Sequence, residues 1–121
     1  MPKLRSFPAI PLDLREWTRW MQDQKFLHVL ITVTTTTHTA ATEDAILVDD
    51  DTAGGAVTIT LPAVLGNDGI LYNIKKLGTT GSVTIDANEA ELIDGATTKV
   101  LSSQYDSVTI LCDGTVWHVI D

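Results

Sequence analysis

The triplet Val-Thr-Ile occurs at Val57–Ile59, Val83–Ile85 and Val108–Ile110, each time with two apolar side chains flanking a threonine. In an extended chain successive side chains point to opposite faces, so each triplet has one dry face and one wet face. A helix cannot use that pattern, because its apolar positions must recur every three or four residues. The triplets begin 26 and 25 residues apart, but their flanks diverge, so they read as similar strands rather than true repeats.

Turn residues divide the rest of the chain in the same way. Ala53-Gly54-Gly55, Gly66-Asn67-Asp68-Gly69, Gly78-Thr79-Thr80-Gly81, Asp94-Gly95 and Asp113-Gly114 supply residues that tolerate positive φ. Between them the pattern predicts strands at 29–34, 45–48, 56–61, 69–77, 82–86, 92–94, 98–101, 107–112 and 115–120. Nine short strands with a clean hairpin signal at Asp113-Gly114 predict an all-β fold, a small antiparallel β-sandwich or jelly-roll-like body over residues 26–121.

The first 25 residues follow another grammar. Pro2, Pro8 and Pro11 each lack a backbone donor and push the preceding residue toward extended conformations. Asp13 with Glu16 forms a capping-box-like pair, and Leu14, Trp17 and Met21 share one helical face, which predicts a short helix over about 13–23. Residues 1–25 therefore read as an extended N-terminal arm with one short helix.

Charge separates the two parts. Five Lys/Arg and three Asp/Glu lie in residues 1–25, leaving three lysines against thirteen acids in the body. An arm near +2 precedes a body near −10. So acidic a body repels phosphate backbones, which excludes it as a nucleic-acid binder. No apolar run approaches the length of a membrane-crossing helix, and prolines interrupt the segment where a signal-peptide core would have to lie.

Arg5, Arg15 and Arg19 are all the arginines of the chain, and Phe7, Trp17, Trp20 and Phe26 crowd the same segment. Arginine and aromatic rings are enriched where binding energy concentrates at interfaces. Arg5, Phe7, Trp17, Arg19 and Trp20 are accordingly the candidate partner-binding residues. The competing reading has these rings capping the open end of the β core.

Chemistry is sparse elsewhere. Asp49-Asp50-Asp51 could offer oxygens to a hard cation, yet the spacing is not that of an EF-hand, and a solvated turn is the simpler reading. His28, His38 and His118 are scattered, and no serine stands in a nucleophile elbow. Asp86, Glu89, Glu91 and Asp94 lack any spacing that enforces a catalytic pair. The expectation is no enzyme, no catalytic residue, no metal and no cofactor. Cys112, between apolar neighbours, reads as a buried thiol. Tyr105 and Trp117 could form a platform for a sugar ring, although a lone tryptophan in a terminal strand is more often core.

From Val57-Thr58-Ile59-Thr60-Leu61-Pro62 through Ile74-Lys75-Lys76 and Leu92-Ile93-Asp94-Gly95 to Asp113-Gly114-Thr115-Val116-Trp117-His118-Val119-Ile120, the body resembles phage tail-fibre, tail-spike and head-fibre or capsid-decoration modules. The stretch from Val57 to Ile120 covers just over half of the chain. It implies a homotrimer in the virion, assembled in the host cytoplasm, with the arm attached to a capsid, portal or tail protein. A module recognising a host surface glycan is the alternative that the resemblance leaves open.

Overall fold

Val57 and Ile59 are buried while Thr58 and Thr60 between them stay partly exposed, as two-residue alternation requires. The same alternation recurs in Val83–Asp86, Leu71–Lys76 and Ser107–Cys112. Branched side chains suit a pleated surface with one face packed, and each fully buried Val or Ile contributes about 1.5–3 kcal/mol.

The computed structural model describes residues 29–121. Its elements are β1 (Leu30–Val33), β2 (Thr37–Thr39), β3 (Ala45–Val48), α1 (Asp50–Ala53), β4 (Val57–Thr60), β5 (Leu71–Lys76), β6 (Val83–Asp86), β7 (Thr98–Leu101), β8 (Ser107–Cys112) and β9 (Trp117–Val119). They form a five-stranded sheet in the order β1-β3-β5-β8-β9, which we term the leucine sheet, and a four-stranded sheet β2-β4-β6-β7, the threonine sheet. The all-β body expected from the sequence is present. The arm, its helix over 13–23 and all five candidate partner-binding residues lie outside the described residues.

The antiparallel expectation is corrected. β1, β3 and β5 pair in parallel, as do β2, β4 and β6. Only β7, β8 and β9 add antiparallel pairs. From β1 to β6 the chain alternates between the sheets, so it winds in three successive coils. Parallel neighbours need a long crossover, usually a helix. Here the crossover is a strand of the opposite sheet, so short strands with tight turns can stack in parallel without helices.

This geometry also revises the reading of the triplets. Val57 pairs with Val83, Thr58 with Thr84 and Ile59 with Ile85, so two triplets are equivalent positions in successive coils. The third lies in β8, antiparallel, in the other sheet. Inside, Ile46, Ile74 and Val108 form one buried row across the leucine sheet, and Val57, Val83 and Leu101 another across the threonine sheet. Outside the threonine sheet, Thr37, Thr58 and Thr84 stand in line.

Residues 92–94 do not form the expected strand. Ile93 makes only isolated bridges, to Ala96 and Trp117, because Asp94 and Gly95 take positive φ and turn the chain back at once. In exchange, Thr37–Thr39 is a strand that its polar sequence conceals. Asp113-Gly114 makes the expected hairpin, with Gly114 at φ 92°.

Gly81 is required for a reason other than φ. A Cβ there would lie 2.3 Å from the backbone nitrogen of Ala56 and 2.4 Å from the carbonyl carbon of Gly55. Gly81→Ala is expected to push the two coils apart and cost about 1–3 kcal/mol in urea unfolding. An unchanged midpoint would show that the close approach is dispensable.

Candidate functional site

Three consecutive aspartates follow β3 at the corner where the second coil turns toward β4. Asp49 caps α1, its carboxylate accepting from the Thr52 amide at 3.0 Å and the Thr52 hydroxyl at 2.7 Å. Such caps satisfy amides that a helix start leaves unpaired. Gly54 ends this single turn at φ 85°.

Asp50 then points inward and is fully buried. Its Oδ1 accepts the Gly78 amide at 2.8 Å, and its Oδ2 accepts the Thr80 amide at 2.8 Å, the Gly81 amide at 2.9 Å and the Lys76 ammonium at 3.1 Å. Lys76 is itself 1% exposed and also donates to the Gly78 carbonyl. Asp51 stays outside and accepts the amides of Thr79 and Thr80, each at 3.0 Å, and the Thr80 hydroxyl. A corner of the second coil thus grips the corresponding corner of the third.

Burial pushes the Asp50 carboxyl up, but the Gly81 amide, the Lys76 ammonium and the Gly78 amide outweigh it and hold it at about 2, against an ordinary 3.8. A depressed acid stabilises the fold wherever it is ionised. Its contribution is complete above pH 3.8 and is lost as pH falls toward about 2. Melting temperature should therefore drop through that window, with a shallower slope in Asp50→Asn. Equal slopes in both proteins would remove Asp50 from the acid response.

The expected solvated turn is thus corrected at Asp50, which is buried and bonded. The cluster is poorly suited to a cation, because its oxygens already hold the chain's own donors. Among the described residues no group of three or more His, Cys, Asp or Glu is arranged to hold a metal ion.

Several other titratable groups also tie the chain together. His38 Nε2 meets Glu43 Oε1, spanning the connection from β2 to β3. Burial raises the Glu43 carboxyl, and the hydrogen bond from His38 together with backbone amides brings it below its ordinary value. Tyr72 donates to the Ala41 carbonyl at 2.7 Å, and burial with the nearby Glu43 charge pushes its hydroxyl up to about 12. His118 faces outward and meets Asp113 at 2.7 Å across the hairpin. Glu91 accepts the Val64 amide at 3.2 Å and Asp94 the Val119 amide at 3.2 Å.

Cys112 is buried, and burial raises its thiol, which leaves it a poor nucleophile. The sugar platform does not form, because Trp117 is fully buried against Tyr72, with ring centroids 5.8 Å apart. Tyr105 alone faces solvent, 61% exposed, with the Lys75 ammonium 5.4 Å from its ring centre. A groove of about 610 Å³ lies between residues 41–44 and 67–71 and holds Glu43 and Asp44 beside Ile70 and Leu71. No long apolar helix able to cross a membrane occurs among the described residues.

Lys76 is the residue that sequence reasoning missed. Its signal is the alternation Tyr72, Ile74, Lys76, which places a lysine where only an apolar group or a paired charge can sit. No family model matches this chain, and no curated protein matches it in sequence.

Proposed function

We propose that the chain is a non-enzymatic phage virion structural protein, an N-terminally anchored trimeric β knob that decorates or extends the capsid or tail. The observation that carries this reading is the ordered resemblance from Val57 to Ile120 to head-fibre and tail-fibre modules. Side-chain use within the body supports it. Asp49, Asp50, Asp51, Glu43, Glu91, Asp94 and Asp113 all bind their own chain, so these ionisable groups serve to maintain the shape.

In this reading residues 1–25 attach to a capsid, portal or tail protein, with Arg5, Phe7, Trp17, Arg19 and Trp20 as the gripping side chains. The test is deletion of residues 1–25. The truncated protein should keep the strand signature in circular dichroism and lose attachment to particles by at least about tenfold, the scale of about 1.4 kcal/mol. Attachment equal to that of the full chain would refute the arm's role.

A further inference from the structure

The leucine sheet contains no acidic residue in any of its five strands. Yet the chain carries sixteen Asp and Glu, three of them in the first 25 residues. The acids of the body fall in the loops, in α1, in β6 and at Asp121, so they reach this sheet only at its strand ends.

Strand register defines the sheet's outer surface. Leu30, Ala45, Asn73 and Thr109 form one outward row, which Ile120 extends. Leu71, Leu111 and His118 form a second row on one side of it, and Leu47, Lys75 and Ser107 a third on the other. Leu30 is 59% exposed and Ile120 53%. A shallow groove of about 320 Å³ crosses the surface, bordered by one charge of each sign, Lys75 and Asp121.

We infer that this outer face of the leucine sheet is the surface through which copies of the chain associate with one another, an inference that rests on the oligomeric reading under Proposed function. The argument is electrostatic first. A body near −10 repels its own copies, so copies can meet closely only through a surface without uncompensated acids. A basic partner, by contrast, would be recognised by carboxylates, and this surface offers none in its strands. The face also mixes apolar side chains with polar ones, as surfaces between proteins do. Closed three-fold association with these faces toward the axis would cover exposed Leu30 and Ile120 and the half-buried Leu47, Leu71 and Leu111.

The experiment compares the full chain with Leu47→Arg/Leu111→Arg and, as a control on the opposite face, Thr58→Arg, using light scattering and sedimentation across a concentration series. The wild type and the Thr58 variant should associate alike, and the double variant should require at least tenfold higher concentration while keeping its circular dichroism. Ser107→Cys, a near-isosteric change at an exposed outward position, supplies a second readout. A short bismaleimide should join its copies into covalent multimers, whereas Thr58→Cys should stay single. Association untouched by the leucine changes but broken by Thr58→Arg would overturn the assignment of the face. So would a Ser107→Cys protein that associates but does not cross-link. A wild-type chain that is monomeric throughout would instead overturn the oligomeric reading itself.

Discussion

Asp50→Ala is expected to destabilise the protein by at least about 3–5 kcal/mol, enough to unfold a large share of it under mild conditions. The substitution strands Lys76, which is 1% exposed, without a counter-ion. It also removes the acceptor of the Gly78 and Gly81 amides and one of the two acceptors of the Thr80 amide. Each buried donor left unpaired costs about 1–3 kcal/mol. Lys76→Met should cost less, because Asp50 then keeps its three backbone partners. Urea midpoints, read with an unchanged slope, measure both effects. Should Asp50→Ala unfold within about 1 kcal/mol of wild type, the corner-to-corner grip would not be a major source of stability.

Trp117→Ala is expected to cost about 3–5 kcal/mol, since the ring is fully buried and packs on Tyr72. The indole Nε1 has no hydrogen-bond partner. Trp117→Phe therefore discards an unsatisfied donor along with some volume, and the two effects oppose each other. It should stay within about 1.5 kcal/mol of wild type. Trp117 is the only tryptophan among the described residues, so the spectral change on replacing it reports that buried ring. A Phe variant as unstable as the Ala variant would mean that the nitrogen is bonded in solution.

Strand identity was largely legible because alternation and turn chemistry are local. Val57–Thr60, Val83–Asp86 and Ser107–Cys112 each announce themselves by period and by a flanking glycine or aspartate. Pairing was not legible, because a strand reads the same beside a parallel or an antiparallel neighbour. The match of Val57 with Val83 was visible as a recurring triplet but carried no direction. Polar β2 was hidden because its hydrogen bonds come from β4 and not from its own side chains. Asp50 was hidden for a related reason. Three adjacent aspartates suggest water until Lys76, on the far side of a turn, is known to face inward.

Parallel in-register stacking has an evolutionary corollary. A duplicated coil inserted between the second and third would find the same hydrogen-bonding ladder above and below, so the body can lengthen without redesign of its neighbours. The antiparallel strands β7, β8 and β9 interrupt that ladder at the C-terminal side, where a further unit would meet the wrong polarity. Growth by duplication is thus directed toward the amino-terminal half, and relatives of different length should differ in coil number there while retaining the same closing hairpin.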